Sequence, residues 1–169
     1  MKLETWELLS YIVTVFGLPL AIFAFILEQR KERENEEEEV YQMLSDAYTD
    51  FLKLEMSNPD LKLRSQSAAD DLSEQQRERV QIMFEILISL FERAYLLAFD
   101  NKMTGKQLRR WRSWEDYMRE WCGRDDFRKL LPQMLHGEDP DFAVYIQHLA
   151  NEEASDLGKG YSLGSVRTR

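Results

Sequence analysis

Residues 8–27 read LLSYIVTVFGLPLAIFAFIL, twenty consecutive positions without a charged side chain, closed off by Glu7 on one side and Glu28 on the other. A helix of that length, rising about 1.5 Å per residue, covers about 30 Å, the thickness of a bilayer's hydrocarbon core. A cleaved signal peptide would need a basic leader, a shorter apolar stretch and a small-x-small cleavage site. Here Lys2 is offset by Glu4 and Glu7, and AIFAFILEQ at 21–29 offers no such site. A core helix of a soluble domain is normally shorter. The sequence therefore predicts a retained transmembrane helix.

Working outward, Arg30, Lys31 and Arg33 follow the stretch while only Lys2 precedes it. Basic residues near the ends of a span set its orientation, so the C-terminal side is expected in the cytoplasm and the short N-terminal tail outside, with Trp6 and Tyr11 near the outer interface. Inside the stretch, Ser10, Thr14, Gly17, Ala21 and Ala24 fall at alternating spacings of four and three. Small residues on one seam let helix backbones approach closely in lipid, which makes these five the expected oligomer interface. Pro19 lacks a backbone donor and lies two positions after Gly17, so a bend is expected there. No ionisable side chain occurs within the stretch, which argues against a proton relay.

The next thirteen residues, EQRKERENEEEEV, hold seven Glu, two Arg and one Lys with no Gly or Pro, so the helix is expected to continue as a charged stalk. Consecutive glutamates at 36–39 fan around a helix axis and do not converge on an ion, so they read as a solvated face. The apolar period resumes at Val40, Leu44, Ala47, Tyr48, Phe51 and Leu54, and Asn58-Pro59-Asp60 ends the helix. A polar run over 64–71 reads as a mobile loop. Ser73 and Gln76 form a capping box ahead of Val80, Met83, Phe84, Leu87, Leu90, Phe91, Ala94, Leu97 and Ala98. Glu92 and Arg93 interrupt that surface and are expected to pair with charges on other helices.

Thr104 and Gln107 look like a second capping box, opening a helix in which Leu108, Trp111, Trp114, Met118 and Trp121 share a face before Gly123. The tryptophans are expected in the core, the alternative being an interfacial or ligand-binding aromatic surface. Lys106, Arg109, Arg110 and Arg112 make the helix locally basic, a candidate electrostatic contact for anionic headgroups or for the stalk glutamates. Asp125 or Asp126 is expected to cap a short helix through Phe127, Leu130 and Leu131. Asp139-Pro140 starts the last one, through Phe142, Tyr145, Ile146 and Leu149. From about Glu153 the glycine-containing remainder reads as disordered.

The segments FERAYLLAFD, RRWRSWEDYMREWC, DDFRKLLPQML and GEDPDFAVYI resemble a group of uncharacterised bacterial single-pass membrane proteins with a cytoplasmic helical domain. The resemblance covers about residues 5–150 and implies a location in the bacterial inner membrane; it carries no catalytic residues. The expected fold class is all-α, with one N-terminal transmembrane helix continuing into a cytoplasmic stalk and a small helical bundle. Its expected parts are residues 1–27 as outer tail and span, 28–152 as stalk and helical domain, and 153–169 as flexible tail.

Function classes narrow on composition. With 31 acidic against 22 basic side chains in 169 residues and a net charge of −9, nucleic acid is not an expected partner. The single cysteine, Cys122, excludes an intramolecular disulfide and a cysteine-based zinc site, and burial among apolar neighbours would leave it inert. No phosphate loop, nucleophile elbow or paired histidines occur, and His136 and His148 lie twelve apart on different expected elements. Neither an enzyme nor a cofactor or metal is expected. The leading expectation is a homo-oligomeric membrane protein, lipid bilayer and second copies being its partners, acting as a signalling assembly or, more sharply, a pore or membrane effector in stress or phage defence. The alternative is a monomeric anchored adaptor that binds another protein at the cytoplasmic face.

Overall fold

The computed structural model describes Trp6, Val15, residues 17–65 and residues 71–164, with side chains described as far as Leu157. Every regular element among them is helical: α1 Leu18–Met56, a 3-10 turn Pro59–Leu61, α2 Glu74–Ala98, α3 Gly105–Cys122, α4 Asp125–Met134 and α5 Pro140–Gly164. The all-α class is as the sequence predicts. The chain divides into two compact units, Met1–Gln42 and Met43–Arg169.

In the first unit, residues 18–39 of α1 are all exposed. The uncharged part of the described helix is ten residues, 18–27, before Glu28 begins the charged run. No helix among the described residues is long and apolar enough to cross a membrane. Most of the first half of the apolar stretch, Ser10 and Thr14 included, lies outside the described residues.

In the second unit, Leu44, Tyr48, Phe51 and Glu55 are the buried residues of α1. They follow a strict four, three, four spacing, so the buried stripe continues into Glu55 and leaves Leu54 exposed, a correction to the expected apolar face. The α1 helix ends at Met56, and Lys62 then adopts a left-handed backbone (φ 51°) that turns the chain after Leu61.

The α2 helix is the hub of this unit. Its capping box is formed as expected, the Ser73 hydroxyl accepting from the Gln76 amide and the Gln76 side chain accepting from the Ser73 amide. Val80, Met83, Phe84, Leu87, Ile88, Leu90, Phe91 and Ala94 are buried. Leu97, read from the sequence as part of that stripe, is instead half exposed (50 %). Trp111, Trp114, Met118 and Trp121 of α3 are buried, so the tryptophan stripe is core and not an aromatic surface. Phe84 meets Trp121 and Phe127 edge-on, with ring centroids 6.0 and 5.2 Å apart. Leu131 of α4 and Phe142, Ile146 and Leu149 of α5 are buried as well, Phe142 with its ring 5.8 Å from that of Tyr95.

Two caps and one boundary depart from expectation. Thr104 makes no side-chain capping bond, because the chain enters α3 through Gly105 in the left-handed region (φ +57°), unlike the extended-to-helical step a capping box uses. The cap position before α4 is held by Arg124, with Asp125 and Asp126 in the first turn and no side-chain capping bond. Asp126 is engaged by the Arg124 guanidinium instead. The expected tail boundary near Glu153 falls inside α5, where Glu152 and Glu153 both pair with Arg119 of α3 at 2.9 and 3.2 Å.

Candidate functional site

The residues expected to act divide between the units. Gly17, Pro19, Ala21 and Ala24 lie where seven large apolar side chains in ten residues, Leu18, Leu20, Ile22, Phe23, Phe25, Ile26 and Leu27, are exposed by 44–68 %. Val15 and Gly17 have π-helical backbone immediately before α1. In the second unit Lys106 and Arg109 are exposed and Arg110 half-buried, three positions that share one face of α3. Lys106 and Arg110 are each engaged by other groups. Arg112 lies on another side of the helix, where its charge helps to hold the Glu115 carboxylate.

Polar side chains that no periodicity signalled form three braces. In the first, Arg124 is buried (6 %) and donates to the carbonyls of Leu63 and Ser65 and to both carboxylate oxygens of Asp126. Arg64 grips both Glu55 oxygens at 2.7 and 2.9 Å and also Glu120 at 2.7 Å, with its guanidinium carbon 5.7 Å from the Trp121 ring centre. The segment beginning at Arg64 is thus anchored at its start, where the sequence read a loose loop; residues 66–70 lie outside the described set. A cleft of about 560 Å³ opens here, lined by Leu63, Arg64, Glu120, Trp121, Arg124 and Arg128. Each of its three cations is answered by a carboxylate, of Glu55 and Glu120, of Asp126 and of Asp125. The cleft therefore offers no spare positive charge to an anion. Among the described residues the buried Trp121 indole N–H has no hydrogen-bond partner. Burial pushes the pKa of the neighbouring Tyr48 hydroxyl up, against the Trp121 indole and the Arg64 charge.

The second brace joins α3 to α5. The Trp111 indole donates to the Tyr145 hydroxyl at 3.1 Å, that hydroxyl donates to Glu115 at 2.7 Å, and Arg119 closes on the other Glu115 oxygen and on Glu152 and Glu153. Burial pushes the Glu115 carboxyl up, but the Tyr145 and Arg119 bonds outweigh it and hold it below its ordinary value. Tyr145 is raised by burial and by the same carboxylate, so it stays protonated and donating at neutral pH. Cys122 is fully buried, and burial pushes its thiol up to about 12. His136, in the turn after α4, and His148, on α5, are both exposed, and no three His, Cys, Asp or Glu side chains among the described residues converge as metal ligands.

The third brace is acidic. Glu92, buried in part on α2, accepts from the Asp139 amide at 2.6 Å, just where the Asp139 carboxylate caps α5 through the amides of Asp141 and Phe142. Glu138, brought beside it by the left-handed Gly137 (φ +95°), is pushed up to about 7 by burial and by its hydrogen bond and charge repulsion with Glu92. Among the described residues Glu92 therefore does not find the cationic partner that the sequence predicts. Its raised neighbour favours the folded state while protonated, so stability is expected to fall as pH rises from the ordinary carboxylate range through about 7. Thermal unfolding of the full chain at pH 5 and pH 8 should show that loss, and Glu138→Gln should flatten it. An equal pH slope in the variant would show that the pair does not share a proton.

No protein-family model, curated protein or solved structure shows significant similarity to the chain.

Proposed function

We propose that this chain is a homo-oligomeric, single-pass membrane protein, its N-terminus outside and its helical domain at the cytoplasmic face, working as a signalling assembly. The observation that carries the reading is the run of exposed apolar side chains at 18–27, continuous in sequence with ten further uncharged residues. A helix apolar on all sides is stable in water only when something covers it, and lipid is the cover that matches twenty uncharged residues. The second unit adds support of another kind, since the ionic groups around its cleft are spent on bracing helices and, among the described residues, leave it no surplus charge. A folded module of that sort suits transmission of contact or assembly better than bond chemistry. In the pore form of the reading, Pro19 is the bend at which the assembled helices gate.

The protein mass of the full chain in a mild detergent, corrected for bound detergent, tests the reading. An assembly of several chains is expected for the native sequence, and Gly17→Leu with Ala21→Leu should reduce its affinity by at least tenfold, because two bulky side chains on the seam separate the backbones. Retained assembly in the double variant would remove the seam as the driving contact. A monomeric native protein, together with membrane insertion, would favour the anchored adaptor. Absence from the membrane fraction would overturn both.

A further inference from the structure

The α2 helix buries one face and yet carries a second apolar line on the other. Ile82, Ile86 and Leu96 are exposed by 54, 40 and 57 %, and Ser89 and Arg93 are exposed between them. Positions 82, 86, 89, 93 and 96 alternate in steps of four and three, the spacing of a helix–helix seam, with Leu97 at its edge. The burial of Val80, Met83, Phe84, Leu87, Leu90 and Phe91 does not use this line. A surface helix of a monomer has no reason to be apolar on its outer face as well as its inner one.

The charges on and beside the line say what covers it. Glu85 precedes Ser89 by four residues and Arg93 follows it by four; Ile82 precedes it by seven and Leu96 follows it by seven. Among the described residues Glu85 accepts only from the Gln81 side-chain NH2, at 2.9 Å, and Arg93 makes no ion pair. If a second copy of α2 is laid antiparallel across the first, each Glu85 meets the other copy's Arg93 and each Ile82 meets the other's Leu96. Ser89 then meets itself on the two-fold axis. A parallel pairing would instead set Glu85 against Glu85 and Arg93 against Arg93. The small Ser89 side chain at the crossing lets the axes come close, and antiparallel helix dipoles oppose each other favourably. We propose that the outer face of α2 is an isologous dimer contact, formed by two copies of this chain antiparallel about Ser89. This goes beyond the membrane assembly argued above, since it uses no residue of the 10–24 seam.

Cysteine cross-linking of the full chain in detergent tests it. Under mild oxidation Ser89→Cys should give a disulfide-linked dimer, with the native Cys122 buried and silent. In that background Glu85→Arg alone or Arg93→Glu alone should lower the cross-linked yield about tenfold, since each puts like charges together twice per dimer. The combined Glu85→Arg/Arg93→Glu chain should restore it, a rescue that an antiparallel pair allows and a parallel pair does not. Cross-linking should persist when Gly17→Leu and Ala21→Leu are added, which separates this contact from the membrane seam. Absence of the Ser89→Cys dimer, indifference to either single reversal, or failure of the double reversal to rescue would each overturn the proposal and leave the face to another occupant.

Discussion

Replacing Phe84 with alanine is expected to cost about 3–5 kcal/mol of folding stability, the range for removing a fully enclosed aromatic side chain from a core that cannot collapse around the space. Phe84 has no exposed surface, and three helices meet on its ring: its own, α3 through Trp121 and α4 through Phe127. The Arg124 guanidinium also lies 5.8 Å from the ring centre, so the vacancy would open beside a buried charge. Denaturant unfolding followed by tryptophan fluorescence measures the loss, because Trp111, Trp114 and Trp121 all report on this core. Phe84→Leu should retain more than half of the lost stability. A cost for alanine below about 1 kcal/mol would mean that the three helices do not depend on this ring.

The second large effect belongs to Arg124. Arg124→Met keeps an apolar stem but abandons the Leu63 and Ser65 carbonyls and leaves the Asp126 carboxylate half-buried without its cation. Removing one member of such a set typically costs about 3–5 kcal/mol, mostly because of what stays behind unpaired. Adding Asp126→Asn should therefore recover part of the loss, and the two changes together should cost less than their sum. Arg124→Lys should fall between, since a lysine retains the charge but cannot serve two carbonyls and a carboxylate fork at once. A fully additive pair would show that Arg124 and Asp126 stabilise the domain separately. Phe84→Ala and Arg124→Met share a contact, so their effects are not expected to add either.

What could be read from the sequence was what local spacing encodes. The buried stripes of α2 and α3 follow from three-and-four periodicity, and the caps at Ser73 and Asp139 follow from side chains that reach their own amides. Thr104-x-x-Gln107 has the same letters as Ser73-x-x-Gln76, but the left-handed Gly105 between them changes the entry to the helix. Glu55, Arg64 and Arg124 were invisible for a different reason. Each is charged and each is held by groups distant in sequence, so nothing in the neighbouring letters distinguishes it from a solvated side chain. The α5 helix runs past its expected end, and at that point Arg119, far back in α3, holds Glu152 and Glu153, a pairing that neighbouring letters do not announce. Of the candidate site, Gly17, Pro19, Ala21 and Ala24 lie at the exposed apolar end of the first unit, whereas the basic group on α3 separates into two sides of one helix.

The enclosed Cys122 has a practical consequence. A thiol with no exposed surface and a pKa of about 12 cannot meet an alkylating reagent while its surroundings stay closed, so its rate of labelling is a clock for how often the helices around it part. Without any added probe, the chain thus records its own breathing, and Phe84→Ala, Arg124→Met and Glu138→Gln can be ranked by how fast that single thiol is consumed.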